Sequence, residues 1–364
     1  MVRSTVTFLL LGGFLGSGKT TALLRLARHY VAVGKRVGII ANDQAENLVD
    51  TETFRTAGFP VEEVPGGCFC CRFDDLIAAA GRLADGHKPD VLLAEPVGSC
   101  TDLVTTVIRP FQRLYAEQFI VAPYVTLLDP ERVYQALAGS GPMAFSAKVT
   151  YLFKMQQHEA DVVAVNKIDL LSPERREELL PLVRRNFPKA EVIAVSARTG
   201  EGFDRLVELF DGGDGAGHNP AEVDYDLYAE GEAALGWLNA EVAIKAAQAF
   251  DADALLLDML AEIRQQLQQS DAEPAHVKMT LRAGDVVAVA NLVDSRRPPE
   301  SSRACRCMID EGRLLINTRV ESDPEKLSVL VQAAARSAAA RQGVRVEFLA
   351  LAHFSPARPQ PTFR

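Results

Sequence analysis

An α/β fold, a mostly parallel sheet with helices on both faces followed by a smaller α+β domain, is the class this 364-residue chain predicts. Three observations lead there. Apolar runs of strand length alternate with helical stretches from residue 5 to 210, the pattern of a parallel sheet covered on both sides. The first run, Val6 to Leu11, enters a glycine-rich turn that opens a helix. Beyond a glycine-rich linker at 213–220 the order changes to β-α-β-β and then β-β-α-β, which suggests an antiparallel sheet with helices on one face. Domains are therefore expected at 1–212 and 221–364, two being the ordinary number for this length.

Composition narrows the class. Hydrophobic residues make up 48% and charged residues 24%, as in ordinary globular proteins with a sizeable core. A net charge of -9 argues against sequence-independent nucleic-acid binding, which needs a basic surface. Six cysteines, clustered at 68–71 and otherwise scattered, do not form the framework of a secreted disulfide protein, so a reducing cytoplasm is expected. The apolar run after Arg3 leads into Gly-Lys-Thr rather than a small-residue cleavage site. No uninterrupted apolar stretch of about 18 residues follows, so neither a signal peptide nor a membrane span is expected.

Gly13 to Thr20 reads G-x-x-x-x-G-K-T between the first strand and a helix at Ala22 to Val33, the setting of a P-loop NTPase. Glycines let successive N–H groups turn onto a polyphosphate, and the helix N-terminus adds its positive dipole end. Gly13, Gly16, Ser17, Gly18, Lys19, Thr20 and Thr21 are thus candidate phosphate-binding residues. Lys19 would reach the β- and γ-phosphates and Thr20 a Mg²⁺ position. The next strand, Arg36 to Ala41, ends in an acidic loop in which Asp43 and Asp50 are candidates for positioning Mg²⁺ or water, or belong to a solvated loop. Asp90 to Glu95 is a buried strand ending where a P-loop protein carries the carboxylate that supports Mg²⁺ or the attacking water. Gly98 follows as a γ-phosphate contact. Lys19, Glu95 and Asp43 form the candidate catalytic set.

Between these strands lies Gly66-Gly-Cys-Phe-Cys-Cys71, after a strand at 61–65 and before a helix from Phe73 to Ala84. Thiolates bind Zn²⁺ and other borderline or soft divalent metals, and Cys68, Cys70 and Cys71 can supply most of a four-coordinate site. Adjacent cysteines usually point apart, so all three on one ion require an unusual loop; Glu62 or Glu63 is a candidate oxygen ligand. A redox pair is the minor alternative. Cys100 reads as a small buried hydrophobe. Cys305 and Cys307 alternate on a strand and read as packing residues rather than a second metal site.

Thr101 to Tyr115 is expected to be helical with an interruption at Pro110, Val121 to Asp129 a strand, and Ala144 to Ala160 a helix. The strand from Asp161 then ends in Asn166-Lys-Ile-Asp169. A carboxylate at Asp169 accepts hydrogen bonds from N1–H and the exocyclic amine of guanine, which adenine does not offer, so the tetrapeptide selects GTP over ATP. Asn166 braces the loop and the Lys167 stem packs over the base. A strand from Glu191 leads to Ser196-Ala197-Arg198, placed to close over the base. In the second domain a helix is expected at Ala252 to Gln269 and strands about a Gly284-Asp285 turn. A hairpin about Asp310-Glu-Gly312, a helix at Pro324 to Arg341 and a last strand from Val344 complete it.

With Gly-Phe-Leu-Gly-Ser-Gly-Lys-Thr-Thr21, Gly-Gly-Cys-Phe-Cys-Cys71 and Asn-Lys-Ile-Asp169 in this order, residues 5 to about 210 resemble the CobW-like metal-chaperone GTPases, whose relatives serve nickel insertion into urease and hydrogenase. The resemblance implies that Gly13, Lys19, Thr20 and Thr21 hold phosphate and Mg²⁺, Asn166 and Asp169 hold guanine, and Cys68, Cys70 and Cys71 hold metal. It implies slow GTP hydrolysis to GDP, coupled to handing Zn²⁺, Co²⁺ or Ni²⁺ to a client metalloprotein or cofactor-synthesis enzyme. Glu95-Pro-Val-Gly98 stands where the family usually has Glu-Ser-Thr-Gly, and Asn42-Asp-Gln-Ala45 where it has Asn-Glu-Phe-Gly. Two rivals remain open: a regulatory GTPase with a structural zinc site and a partner-docking C-terminal domain, and a P-loop kinase or ligase-like enzyme, against which Asn-Lys-Ile-Asp argues. Three cysteines in one loop also admit a metal- or nucleotide-dependent homodimer.

Overall fold

The structure, a computed structural model, describes residues 5–44, 49–137, 145–212 and 215–364, and of residues 49 and 50 the backbone alone. Ala45, the Asp50 side chain, Ala144 and linker residues 213 and 214 lie outside the described residues. The chain divides into two compact units, Met1–Tyr228 with Arg358–Arg364, and Ala229–Ala357.

In the first unit, short apolar strands too buried to tolerate unpaired backbone alternate with helices. In chain order they are β1 (Val6–Gly13), α1 (Lys19–Ala32), β2 (Val37–Asn42), α2 (Val49–Thr56), β3 (Val61–Val64), α3 (Phe73–His87) and β4 (Val91–Glu95). A π-helical stretch, Val104–Ile108, runs into α4 (Arg109–Tyr115). Then come β5 (Phe119–Val121), β6 (Val125–Leu128), α5 (Pro130–Leu137), α6 (Ala147–His158), β7 (Val162–Val165), α7 (Pro173–Asn186), β8 (Glu191–Ala194) and α8 (Phe203–Gly212). Among the described residues the strands form one parallel sheet in the order β3-β2-β4-β1-β6-β7-β8, with β5 also on β1. All their C-terminal ends therefore share one edge. On α1, Ala22, Leu23, Leu26, Ala27 and Tyr30 recur at helical spacing and bury the face toward the sheet. At α7 the start is set by Ser172, whose hydroxyl accepts from the Arg175 amide, with Pro173 in the first turn.

The division between units falls within α9 (Tyr225–Ala233). The second unit contains β9 (Leu235–Asp251), α10 (Ala252–Gln269), β10 (Glu273–Ala283), β11 (Val286–Leu292), β12 (Glu300–Arg303), β13 (Met308–Glu321), α11 (Pro324–Arg341) and β14 (Val344–Phe354). Its sheet is antiparallel, ordered β12-β11-β10-β13-β9-β14, and one face of it shares a core with α10 and α11.

Three local expectations are corrected. The hairpin about Asp310-Glu-Gly312 does not form: β13 runs straight through as a strand between β9 and β10, with a register shift between Ile309 and Glu311. A Cβ at Gly312 would lie 2.6 Å from the Arg282 carbonyl oxygen, so this glycine serves close strand approach rather than a turn. Val121 to Asp129 is split into β5 and β6 at Pro123, which has no N–H for the ladder. The helix expected from Thr101 starts later and is π-helical from Val104 to Ile108, just before α4, whose Pro110 cannot donate to the preceding turn.

Glu159 is fully buried, and it accepts from the Val104 amide at 3.0 Å and the Thr101 hydroxyl at 3.4 Å. Burial pushes its carboxyl up to about 8, the neighbouring Asp102 charge adding to the rise while these donors oppose it. The unfolded chain loses this proton near the ordinary glutamate value and the folded chain keeps it, so stability falls as pH rises through that window and levels off above about 8. Glu159→Gln should flatten this slope and raise Tm at pH 8 by about 3 °C or more, roughly the shift of 1 kcal/mol at this size. Melting curves of the two proteins that stay parallel from pH 5 to 8 would contradict the assignment.

Candidate functional site

At the end of β1 the backbone turns left-handed at Gly13 (φ 130°), Gly16 (φ 79°) and Gly18 (φ 97°). At Gly13 a Cβ would meet the Leu127 carbonyl oxygen at 2.5 Å and Ser17 Oγ at 2.8 Å, so only glycine fits. Lys19 is buried and donates from Nζ to the Gly13 carbonyl at 2.9 Å, folded back into its own loop. Ser17 Oγ is buried with no hydrogen-bond partner among the described residues, an atom that suits a cradle for phosphate oxygens. Thr20 Oγ1 donates to Glu95 Oε1 at 3.0 Å, so the hydroxyl and the carboxylate expected at a Mg²⁺ position already meet. Thr21 is exposed in the first turn of α1. A Cβ at Gly98 would lie 2.7 Å from the Leu15 side chain, which brings the loop after β4 onto the phosphate loop.

The residues expected to recognise the base form a second group, tied to the first through Asn166. Its Nδ2 donates to the Ser17 carbonyl at 2.8 Å, and its Oδ1 accepts from the Ala197 amide at 2.9 Å. Lys167, in the left-handed region at φ 58°, donates to the Gly16 carbonyl and to Asp129 Oδ2, both at 2.7 Å. Ser196 Oγ donates to Asp169 Oδ1 at 2.7 Å and accepts from the Thr199 amide. Arg25 of α1 donates to the carbonyls of Ala197 at 2.8 Å and Arg198 at 2.7 Å, holding that loop from the other side.

The cysteine loop is the third group. Asn42, the last residue of β2, donates from Nδ2 to the carbonyls of Val64 at 2.8 Å and Gly67 at 2.7 Å, and accepts from the Phe69 amide at 2.8 Å. A tight turn follows, in which the amides of Cys71 and Arg72 both donate to the Cys68 carbonyl. The result is the unusual loop that three ligands require: the sulfurs are 2.7 Å (Cys68–Cys70), 3.3 Å (Cys68–Cys71) and 3.6 Å (Cys70–Cys71) apart. The thiols of Cys100, Cys70 and Cys71 hold Cys68 well below the ordinary thiol value. Cys100 first, then Cys68 and Cys71, push Cys70 well above it. Cys71 is pushed up to about 12, chiefly by Cys68. Glu62 pairs with Arg82 at 2.7 Å and Glu63 lies 4.0 Å from Arg55, so neither carboxylate joins the cluster.

Residues 358–364 cover this loop. The Gln360 amide donates to Cys71 Sγ at 3.1 Å and the Thr362 amide to the Cys70 carbonyl at 2.9 Å. Phe363 stands edge-on to Phe73 at 5.0 Å. Arg358 pairs with Asp226, and the Arg364 guanidinium lies 3.9 Å from the Tyr225 ring centre.

The arrangement therefore brings together Lys19, Thr20 and Glu95, then Asn166, Asp169 and Ser196 to Arg198, and separately the three cysteines. Asp43 follows Asn42, and its carboxylate accepts from the Gln44 amide at 2.6 Å. In the second unit Cys305 donates to Asp253 and Cys307 to the Cys305 carbonyl. Sequence reasoning passed over Asn42, Arg25, Asp129 and Gln360. A polar residue ending a wholly buried strand is a signal for Asn42; Arg25 and Gln360 carry none.

A family model described as CobW/HypB/UreG, nucleotide-binding domain, matches residues 7–194. The zinc chaperone YeiR of Escherichia coli (strain K12) is 32% identical over 178 residues, 47% of this chain and 49% of that protein. The zinc chaperone CobW of Pseudomonas aeruginosa is 27% identical over 210 residues, 51% of this chain and 55% of that one. The chain thus spans about half the length of the curated relatives it matches. Among solved structures, the Zn(II)-bound YjiA GTPase from E. coli is 14% identical, with 91% of this chain and 99% of that one covered, at a TM-score of 0.39. No helix among the described residues is long and apolar enough to cross a membrane.

Asn42→Ala removes two hydrogen bonds to the thiol loop, at Gly67 and Phe69, and one to Val64 at the end of β3, while leaving the fold's core intact. At about 1 kcal/mol for each bond, local opening should become at least tenfold more frequent. Alkylation of Cys71 in the native protein, followed by mass spectrometry, should accelerate accordingly; an unchanged rate would mean that the loop holds itself.

Proposed function

The chain belongs to the CobW/HypB/UreG family through its nucleotide-binding domain, and from that premise we propose that it is a GTP-binding, GTP-hydrolysing metallochaperone. Its nucleotide state would govern binding of a divalent metal, Zn²⁺ or a similar ion such as Co²⁺ or Ni²⁺, and its transfer to a client metalloprotein or cofactor-synthesis enzyme. One observation carries the reading. Asn42, which holds the thiol loop, directly follows Ala41, and Ala41 is the register partner of Glu95, which bonds Thr20. The metal loop and the Mg²⁺ corner of the nucleotide site are thus one strand apart.

The residues suit the chemistry. Thr20 and Glu95 would hold Mg²⁺, which supplies charge compensation at the phosphates. Lys19 would exchange the Gly13 carbonyl for phosphate oxygens, the orphaned Ser17 hydroxyl would gain a partner, and Glu95 or Asp43 would orient water. Asp169, held by Ser196, would read guanine, with Asn166, Lys167, Ala197 and Arg198 closing the base pocket. Cys68, Cys70 and Cys71 supply three soft donors for the cargo ion, the donor type that selects zinc and its neighbours over Mg²⁺.

The test is metal affinity of the reduced protein, with GDP and then with a non-hydrolysable GTP analogue, against a Cys68→Ala/Cys70→Ala/Cys71→Ala control. Stoichiometric metal that changes affinity with nucleotide by about 5–150-fold and vanishes in the control is expected. Equal affinities in both nucleotide states would leave a GTPase with a structural zinc site instead. Asp169→Asn should weaken GDP binding by at least about a hundredfold, because it puts donors where guanine also donates. Isothermal titration checks this, and an unchanged Kd would remove Asp169 from the base pocket.

A further inference from the structure

The segment that covers the cysteine loop has a sequence suited to lying there. In Arg358-Pro-Gln-Pro-Thr-Phe-Arg364, Pro359 and Pro361 fix their own φ and carry no N–H. The stretch from Pro359 to Thr362 therefore has two amide donors, and both point at the loop. Gln360 donates to Cys71 Sγ at 3.1 Å and Thr362 to the Cys70 carbonyl at 2.9 Å. Burial alternates in step, with the period of extended chain: Pro359 is buried, Pro361 and Phe363 are half-buried, and Gln360 and Thr362 are exposed. Prolines at alternate positions also restrict the segment when it is free, so less conformational entropy is lost when it docks.

Side chains fasten it on either side of these amides, all within the first unit. Arg358 pairs with Asp226. Phe363 meets the ring of Phe73, the first residue of α3, and Arg364 lies over the Tyr225 ring. Tyr225 is fixed in turn, its hydroxyl donating to Asp102 Oδ2 at 2.6 Å.

What lies beneath is the way in to the cluster. Cys68 and Cys70 are 3% and 1% exposed, whereas Cys71 is half-buried, so Cys71 is the thiol of the three that solvent reaches most readily. Its sulfur is the atom that the Gln360 amide holds. A backbone N–H on a ligand atom orients that atom, as outer-shell hydrogen bonds do at metal sites generally. Three protein sulfurs leave a four-coordinate ion one open position, and an incoming donor has to reach it for the ion to be handed on.

We propose that residues 358–364 are a strap that gates the metal loop. In place, it holds the Cys71 sulfur and closes the approach to the ion; lifted, it opens the route by which the ion is taken up or passed to a client. This rests on the metallochaperone reading and adds a means of regulating it.

Gln360→Pro/Thr362→Pro deletes both amide donors and puts a ring where each N–H points, while Phe363 and both arginines remain. Gln360→Ala/Thr362→Ala trims the same exposed side chains and keeps the amides. In the metal-free, reduced protein, alkylation of Cys71 by iodoacetamide, followed by mass spectrometry, should run at least about tenfold faster in the proline variant and within about twofold of wild type in the alanine variant. Phe363→Ala keeps every amide and loses only the contact with Phe73; it should speed alkylation by about threefold or more. In the zinc-loaded protein, transfer of the ion to an excess of a chromophoric chelator should follow the same order. Unchanged circular dichroism spectra establish that the variants are folded. Wild-type alkylation rates in the proline and Phe363→Ala proteins would overturn the strap, and an alanine variant as fast as the proline one would overturn the part given to the amides. A wild-type protein that takes up no zinc would overturn the metallochaperone reading instead, and alkylation of the metal-free protein would still decide the strap.

Discussion

Parallel registration of β2, β4 and β1 is the constraint on which the site depends. Leu10 is opposite Ala94, Ala41 opposite Glu95, and Asn42 opposite Val64. The loops that leave these strand ends therefore start within neighbouring rungs of one sheet edge. Hydrophobic burial sets the register, since β1, β2 and β4 are almost wholly buried and each side chain has its place in a close-packed core. A slip of one residue would send each side chain to the opposite face. It would also part Glu95 from Thr20 and Asn42 from the loop it holds. The polar contacts do not build the sheet; they are aligned by it. Most buried polar groups at the edge are then satisfied locally, because leaving one unmade costs about 1–3 kcal/mol, and Ser17 Oγ is an exception. Asn42 and Asn166 spend both ends of a carboxamide on loop backbone, and Lys19 takes the Gly13 carbonyl until something better is bound.

What could be read in the chain follows from the range of the interactions. The phosphate loop, the cysteine cluster and Asn-Lys-Ile-Asp are local: residue types at fixed spacing after an apolar run carry the chemistry by themselves. The α/β class and the antiparallel second unit were legible for the same reason, through alternation of strand-length and helix-length apolar patterns. Arg25 on the Ala197 carbonyl and Gln360 on Cys71 were not, because their partners lie 172 and 289 residues away. Asp310-Glu-Gly312 misled in the opposite direction. Its composition is that of a turn, yet cross-strand pairing on both sides absorbs it as an irregularity, with the glycine used for clearance.

The segment from Glu95 to Cys100 is also where this chain departs from the family's usual Glu-Ser-Thr-Gly, and the departure has a mechanical meaning. Pro96 fixes its own φ and removes an amide donor, and Val97 offers no hydroxyl, so the segment has fewer ways to bend and fewer local hydrogen bonds to make. Gln156 clamps two of its carbonyls, and Gly98 rests on Leu15. A stiff link transmits displacement. If Glu95 adjusts to Mg²⁺ and a γ-phosphate, as proposed, the far end of the segment would have little slack in which to stay behind. Coupling through such a link is reciprocal by thermodynamic necessity: whatever factor nucleotide imposes on metal affinity, metal imposes on nucleotide affinity. In the proposed cycle, an ion in place and an ion absent would give the nucleotide site two different starting geometries, and the cargo itself would become part of what that site senses.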